Sequence, residues 1–272
     1  MRNFDVAAFD RGFAELVAGN RWQEEPQYYP RYRSRYAALM RRFATRAPDR
    51  RIDVLDIGGG QLAFLAVALW DDRGCVADID DTGFAGLRAR GIDTFAWNLA
   101  LEDAPVDRRF DAIFISEVIA HLPVPGHIAL RRLRTLLRPG GILLCSTPNL
   151  YRLRNVVYLL RGRPLFDHFD VPEVRSYGPI IEYSAEHLAW QFEKAGFVDC
   201  TVDLEHFAHI PNAPLDRVLS AFGAPLRRIP RYRDNLLAVG TAGNGREAIG
   251  PAPHASVLPV DRRRDMRARR AC

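Results

Sequence analysis

The sequence is short of cysteine, and its four thiols form no recognisable pair. Cys75, Cys145, Cys200 and Cys272 include no C-x-x-C spacing, so neither a zinc site nor a redox dithiol is indicated. The first three lie in apolar, strand-like runs and read as buried free thiols of a reducing compartment. Lysine is nearly absent, with Lys194 the only one. No run of about 18 apolar residues occurs, so no membrane span is expected. The first ten residues already carry Arg2, Asp5 and Asp10 and lack the apolar core of a secretory signal, so a cytoplasmic location is expected. A basic footprint is missing as well. The net charge is +5, but from Thr241 onward seven arginines face three acids, which leaves the body close to neutral. With no Asn-Pro-Pro-Tyr-type motif and no cysteine placed for base chemistry, no nucleic-acid partner is expected.

What is present is apolar residues at 48% of a 272-residue chain, ample for a buried core. Residues 1–48 read as a helical cap, with Phe13, Leu16 and Val17 at helical spacing and a second helix near 37–47. From 49 to 241, strand-like and helix-like segments alternate. The strands are expected at 52–57, 75–79, 92–97, 111–116, 142–146, 197–204 and 235–241. Helices are expected at 62–70, 128–137 and 150–160, with another ending near Ala195 and capped by Ser184. Arg138-Pro-Gly-Gly141 reads as a helix stop. Such alternation predicts a parallel sheet with helices on both faces. Residues 242–272, rich in Gly, Pro, Ala and Arg without apolar periodicity, read as a disordered basic tail.

The chemistry concentrates where the first strand runs into Gly58-Gly59-Gly60 and then a helix. Glycines allow a tight turn and close approach of a ligand, and a helix start offers free N–H groups. Gly58, Gly60 and Ala63 fit G-x-G-x-x-A, and Asp78 ends the second strand 20 residues after Gly58, where a carboxylate can accept from two ribose hydroxyls. Asp56, two residues before Gly58, would repel a pyrophosphate but suits the cationic amino group of a methionine moiety. The alternative is that it only caps the following turn.

Together these segments resemble the class I S-adenosylmethionine-dependent methyltransferases, over roughly residues 50–200 and the final strand. Asp56-Ile-Gly-Gly-Gly60 looks like their first motif and Val76-Ala-Asp-Ile79 their ribose-binding one. Phe110–Glu117 is similar to their fourth strand, Leu137-Arg-Pro-Gly-Gly-Ile-Leu-Leu144 to the turn before their fifth, and Ser146-Thr-Pro-Asn149 to its end. The resemblance implies a Rossmann-like seven-stranded sheet whose last strand lies antiparallel between the fifth and sixth. It implies S-adenosyl-L-methionine as cofactor, held by Asp56, Gly58, Gly59, Gly60, Asp78, Ile79 and Glu117, with Asn98 and Leu99 flanking the adenine. Leu62 departs from the pattern, standing where a third glycine is usual, and its side chain could crowd the methionine part of the cofactor.

Ser116–Pro123 is similar to the E-x-x-E-H signature of quinone O-methyltransferases, with Ala120 in place of the second acid, so no metal is carried over. His121, the one histidine expected at this edge, is the candidate catalytic base for a small hydroxylated acceptor; it could also simply cap the next helix. His168 could reach the acceptor, and Tyr28, Tyr29, Tyr32 and Tyr36 could form a lid over it. Two rival readings stay open: a nicotinamide-dependent oxidoreductase, and a binding protein that keeps the fold without turnover.

Overall fold

The computed structural model describes residues 1–19, 27–166, 179–207 and 224–243. The expected tail, apart from its first two residues, and His168 lie outside them. Among the described residues no helix is long and apolar enough to cross a membrane.

The seven strands are β1 (Asp53–Ile57), β2 (Arg73–Asp78), β3 (Asp93–Ala96), β4 (Phe110–Ser116), β5 (Leu137–Pro148), β6 (Phe197–Glu205) and β7 (Asn235–Ala242). They form one sheet in the order β3-β2-β1-β4-β5-β7-β6, parallel except for β7, which runs antiparallel between β5 and β6. Alternate side chains enter two cores. Leu55, Ile57, Ile113 and Ile115 face one side, and Val54, Ala112 and Phe114 the other. Burial on both faces explains why these strands read as continuous apolar runs.

On the first face pack α5 (Gly126–Thr135) and α7 (Ala185–Lys194) through Leu130, Leu133, Leu188 and Phe192. The Ser184 hydroxyl accepts from His187 N at 3.1 Å, the expected cap. On the second face pack α1 (Val6–Gly19), α2 (Tyr28–Arg46) and α3 (Gln61–Trp70), and their side chains share a core with the sheet. Phe43 of α2 stands edge-on to Phe114 of β4, centroids 4.9 Å apart. Arg2 is buried against Asp72 and lies over the Phe43 and Trp70 rings, which fastens the amino terminus to this core.

Two local expectations are corrected. The second helix does not begin near residue 37: α2 starts at Tyr28, because Tyr29, Arg35 and Tyr36 share its buried face with Leu39, Met40 and Phe43. Arg138-Pro-Gly-Gly141 does not follow a helix directly. It forms a bulge inside β5, between the Phe110–Leu137 and Ala112–Ile142 pairs, with Gly140 left-handed at φ 75°. Cys75 and Cys145 are buried, whereas Cys200 is only partly so.

Candidate functional site at the carboxyl edge

The parallel strands all end on one edge, where the connecting loops meet. The turn after β1 uses two left-handed glycines, Gly58 (φ 104°) and Gly60 (φ 80°). Gly58 N donates to Ala77 O at 2.9 Å, tying the turn to β2. A Cβ on Gly58 would sit 2.9 Å from Val118 Cγ2, and one on Gly60 would meet Val76 at 2.8 Å. The turn therefore closes against the loop after β4, and only glycine fits there.

Asp56 is buried, and its Oδ2 accepts from Leu62 N (2.8 Å) and Ala63 N (3.1 Å). The bland alternative is thus realised on one oxygen: the carboxylate caps α3. Burial, aided by the nearby Asp78 charge, pushes its pKa up to about 7 against those two hydrogen bonds. The Leu62 side chain is packed in the second core with Val54 and Val76, so the crowding that its size suggested does not arise from its position.

Asp78 ends β2 half-buried, with its pKa raised by burial, partly offset by the N–H groups of Ile79 and Asp80. Neither Asp56 nor Asp78 forms an ion pair among the described residues. Ile79 beside it is 70% exposed, an apolar surface on the lip of the edge. Asn98 turns its side chain to its own loop, accepting from Ala100 N at 3.1 Å, while Leu99 is buried.

Glu117 follows β4 in a left-handed conformation, φ 58°, which costs a non-glycine residue on the order of 1 kcal/mol. Its Oε1 accepts from Ser146 Oγ (2.8 Å) and Asn235 Nδ2 (3.2 Å). Its Oε2 lies 3.7 Å from Arg35 Nη1. Arg35 is a functional candidate the sequence reading missed. It is buried, stacks on Tyr32 at 4.3 Å, and its Nε has no hydrogen-bond partner among the described residues. It was hidden in the repeat Arg31-Tyr-Arg-Ser-Arg-Tyr36, where only helix phase tells the inward arginine from the outward ones.

The tyrosines divide. Tyr29 and Tyr36 are buried in the second core and cannot act as a lid, whereas Tyr28 and Tyr32 are half-buried with rings 5.1 Å apart. His121 lies half-buried on a single 3₁₀ turn after β4, Ile119–His121. It is not alone at this edge, as the sequence suggested. His206, just past β6, is hydrogen-bonded through Nδ1 to Asp234, just before β7. Among the described residues no group of three His, Cys, Asp or Glu side chains could hold one metal ion.

Asn149, at the end of the Ser146-Thr-Pro motif, is fully buried and occupied by the chain itself. Its Nδ2 donates to the carbonyls of Arg231 (2.8 Å) and Arg233 (2.7 Å), and its N to Asp234 O (2.9 Å). It anchors the turn that carries Asp234.

This arrangement coincides with known proteins. A Haloferax volcanii methyltransferase solved with the Trm112 methyltransferase activator superposes with a TM-score of 0.55 at 20% identity, covering 85% of this chain and 97% of that one. A Thermotoga maritima SAM-dependent methyltransferase gives 0.53 at 16% identity, covering 85% and 99%. DhpI, solved with S-adenosylhomocysteine (SAH), gives 0.52 at 18%, covering 89% and 100%. No curated protein sequence matches the chain. The family model for the methyltransferase domain matches residues 29–202, from the start of α2 into β6, and the chain belongs to that family, the S-adenosylmethionine-dependent class I methyltransferases.

Proposed function

We propose that the protein transfers a methyl group from S-adenosylmethionine to a hydroxyl oxygen of a small molecule. The observation that carries this is the pairing of the left-handed glycine turn with Asp78, a carboxylate without a cation among the described residues, at the end of the neighbouring strand.

Three features fit the cofactor. The left-handed glycines Gly58 and Gly60 let the chain turn sharply at the end of β1 with no side chain of their own between the backbone and a ligand. Asp78 offers two acceptor oxygens to a ribose diol, and Ile79 an apolar face to a purine. Arg35, with its buried Nε free of a partner among the described residues, suits a carboxylate, while the second oxygen of Asp56 suits an ammonium group. Asn98, Leu99 and Gly59 complete the proposed set. When bound, the cofactor supplies an electrophilic methyl on a sulfonium. The protein's part is to orient the acceptor in line with that methyl. Glu117, held by Ser146 and Asn235, fixes the loop beside it. Tyr28, Tyr32 and His121 border the acceptor, and a histidine of this edge takes the hydroxyl proton.

Calorimetric titration with S-adenosylmethionine, SAH and NAD tests the reading. Binding of the sulfur cofactors is expected. Tight binding of NAD with no binding of either sulfur compound would select the oxidoreductase reading instead, for which Gly58, Gly60, Ala63 and Asp78 would be the fingerprint.

A further inference from the structure

We propose that His206, held by Asp234, is the group that takes the acceptor's proton, and that the cavity bordered by Leu204, Arg231 and Tyr232 of the same two segments holds the body of a hydroxylated, partly apolar molecule. The proposal rests on the methyl-transfer reading and names its acceptor site.

The two residues are 28 positions apart and meet because β6 and β7 are antiparallel, with Glu205 paired to Asn235. Asp234 is firmly placed. Its carbonyl accepts from Asn149 N, the Asn149 amide clamps the carbonyls on either side of Tyr232, and Arg233 Nη1 reaches back to Leu204 O at 2.8 Å. The same turn continues into Asn235, whose amide reaches Glu117 on the cofactor side. A carboxylate accepts only, so the bond to Nδ1 places the ring proton there and leaves the Nε2 lone pair outward. The His206 side chain is 32% exposed and Asp234 16%, so the ring edge is reachable while its anchor is largely shielded.

The same two chain segments border a cavity of about 530 Å³: Leu204, two residues before His206, and Arg231 and Tyr232, just before Asp234, line it together with Tyr151, Val156 and Glu186. That volume is in the range of small-molecule sites. Two aromatic rings and two aliphatic side chains suit an apolar or aromatic body, and Arg231, Glu186 and Ser184 polar substituents. In the step itself the acceptor oxygen bonds to the methyl carbon, and the carbon–sulfur bond breaks with its electron pair left on sulfur. The hydroxyl proton passes to His206 Nε2, Asp234 stabilises the imidazolium, and the proton then leaves to water. Among the described residues, Asp234 is bonded to His206, Glu205 precedes it, and Arg231 and Arg233 lie on the turn that carries Asp234.

The experiment follows SAH release from S-adenosylmethionine with four probes: catechol, phenol, a sugar alcohol and a primary amine. Hydroxyl probes should be turned over. His206→Gln should lower kcat about 10²–10⁴-fold, with SAH affinity unchanged. The acid limb of the wild-type pH profile should vanish in H206Q, shift in Asp234→Asn, and persist in His121→Ala. Ring-nitrogen NMR of the SAH-bound protein supplies an independent measurement, with His206 Nε2 expected to shift on adding catechol. Turnover of the amine alone, an H206Q kcat within threefold of wild type, or a His206 ring unmoved by all four probes overturns the proposal. Failure of the wild type to bind SAH would instead overturn the methyl-transfer reading beneath it.

Discussion

At the amino edge of the sheet Asp53 is held by Arg73 (2.7 Å), Arg138 (2.8 Å) and Arg108 (3.2 Å), and Asp111 by Arg138 (2.6 Å) and Arg50 (2.9 Å). At the carboxyl edge Asp56 and Asp78 have no ion-pair partner among the described residues, and Glu117 meets its arginine only at 3.7 Å. The consequence is visible in their protonation. The hydrogen bonds from Arg73, Arg138 and Arg108 hold Asp53 well below the usual carboxylate range, whereas burial raises Asp56 and Asp78. One edge satisfies its charges internally and so contributes to stability. The other leaves hydrogen-bonding capacity for a ligand, and the protein bears that cost in the free state.

The sharpest way to break this contrast is to remove one acid from each edge. Asp78→Ala should weaken SAH binding about 10- to 100-fold, the loss of at least one charged hydrogen bond at roughly 1.5–3 kcal/mol, with the melting temperature unchanged or slightly raised. Asp53→Asn should do the reverse, losing on the order of 2 kcal/mol of stability once the half-exposed arginines are discounted for solvent, with SAH affinity intact. Equal effects of both variants on both measurements would show that the edges are not divided in this way.

A second expectation concerns pH, and the two edges differ in sign. Asp53 is depressed when folded, so its stabilisation is present above the unfolded pKa, about 4, and is lost as pH falls below that. Asp56 is raised to about 7, so its contribution is present below about 4 and is lost as pH rises through 7. A cofactor ammonium favours the ionised Asp56. Binding near pH 6 should therefore release up to about one proton per SAH, and affinity should rise toward neutral pH. Calorimetry in buffers of different ionisation enthalpy reads this directly, and Asp56→Asn should abolish the released proton.

The smallest effect is expected from the C-terminal segment. Strand β7 extends to Ala242, which is buried and pairs with Phe197, so the natural cut lies after Gly243 rather than after Thr241. We propose that residues 244–272 are dispensable for folding, because their composition offers little apolar surface to offset ordering entropy. Truncation after Gly243 should move the melting temperature by no more than a degree or two, whereas truncation after Thr241 should cost somewhat more.

Much of the fold was legible because the inner strands β2, β1, β4, β5 and β7 bury both faces, and such a strand leaves a continuous apolar run bounded by polar residues. The ends of β1, β4, β6 and β7 fall within a residue or two of where those runs stop. Where reading failed, a local signal was outweighed by pairing. Pro139 and the glycines at 140 and 141 are strong turn residues, yet neighbouring β4 keeps them in a bulge of β5. The sequence places the start of the second helix near residue 37, but the inward aromatic face of the tyrosine run carries it back to Tyr28.

The order of the elements, the glycine turn, the acid 20 residues beyond it and the family resemblance all came from the sequence, because each is a pattern between residues near one another in the chain. The tertiary structure decided which of many similar side chains face the site. Arg35 is one of nine arginines before residue 47, and only the phase of α2 against β4 turns it toward Glu117. His206 and Asp234 are unremarked singly, and antiparallel pairing of two strands makes them neighbours. Asn149 looked like the end of a motif, and the fold gave it three carbonyl partners in a turn more than 80 residues away. Periodicity and short motifs record covalent spacing. Which groups desolvate together depends on strand order and helix rotation, and these are settled only when distant apolar faces pack.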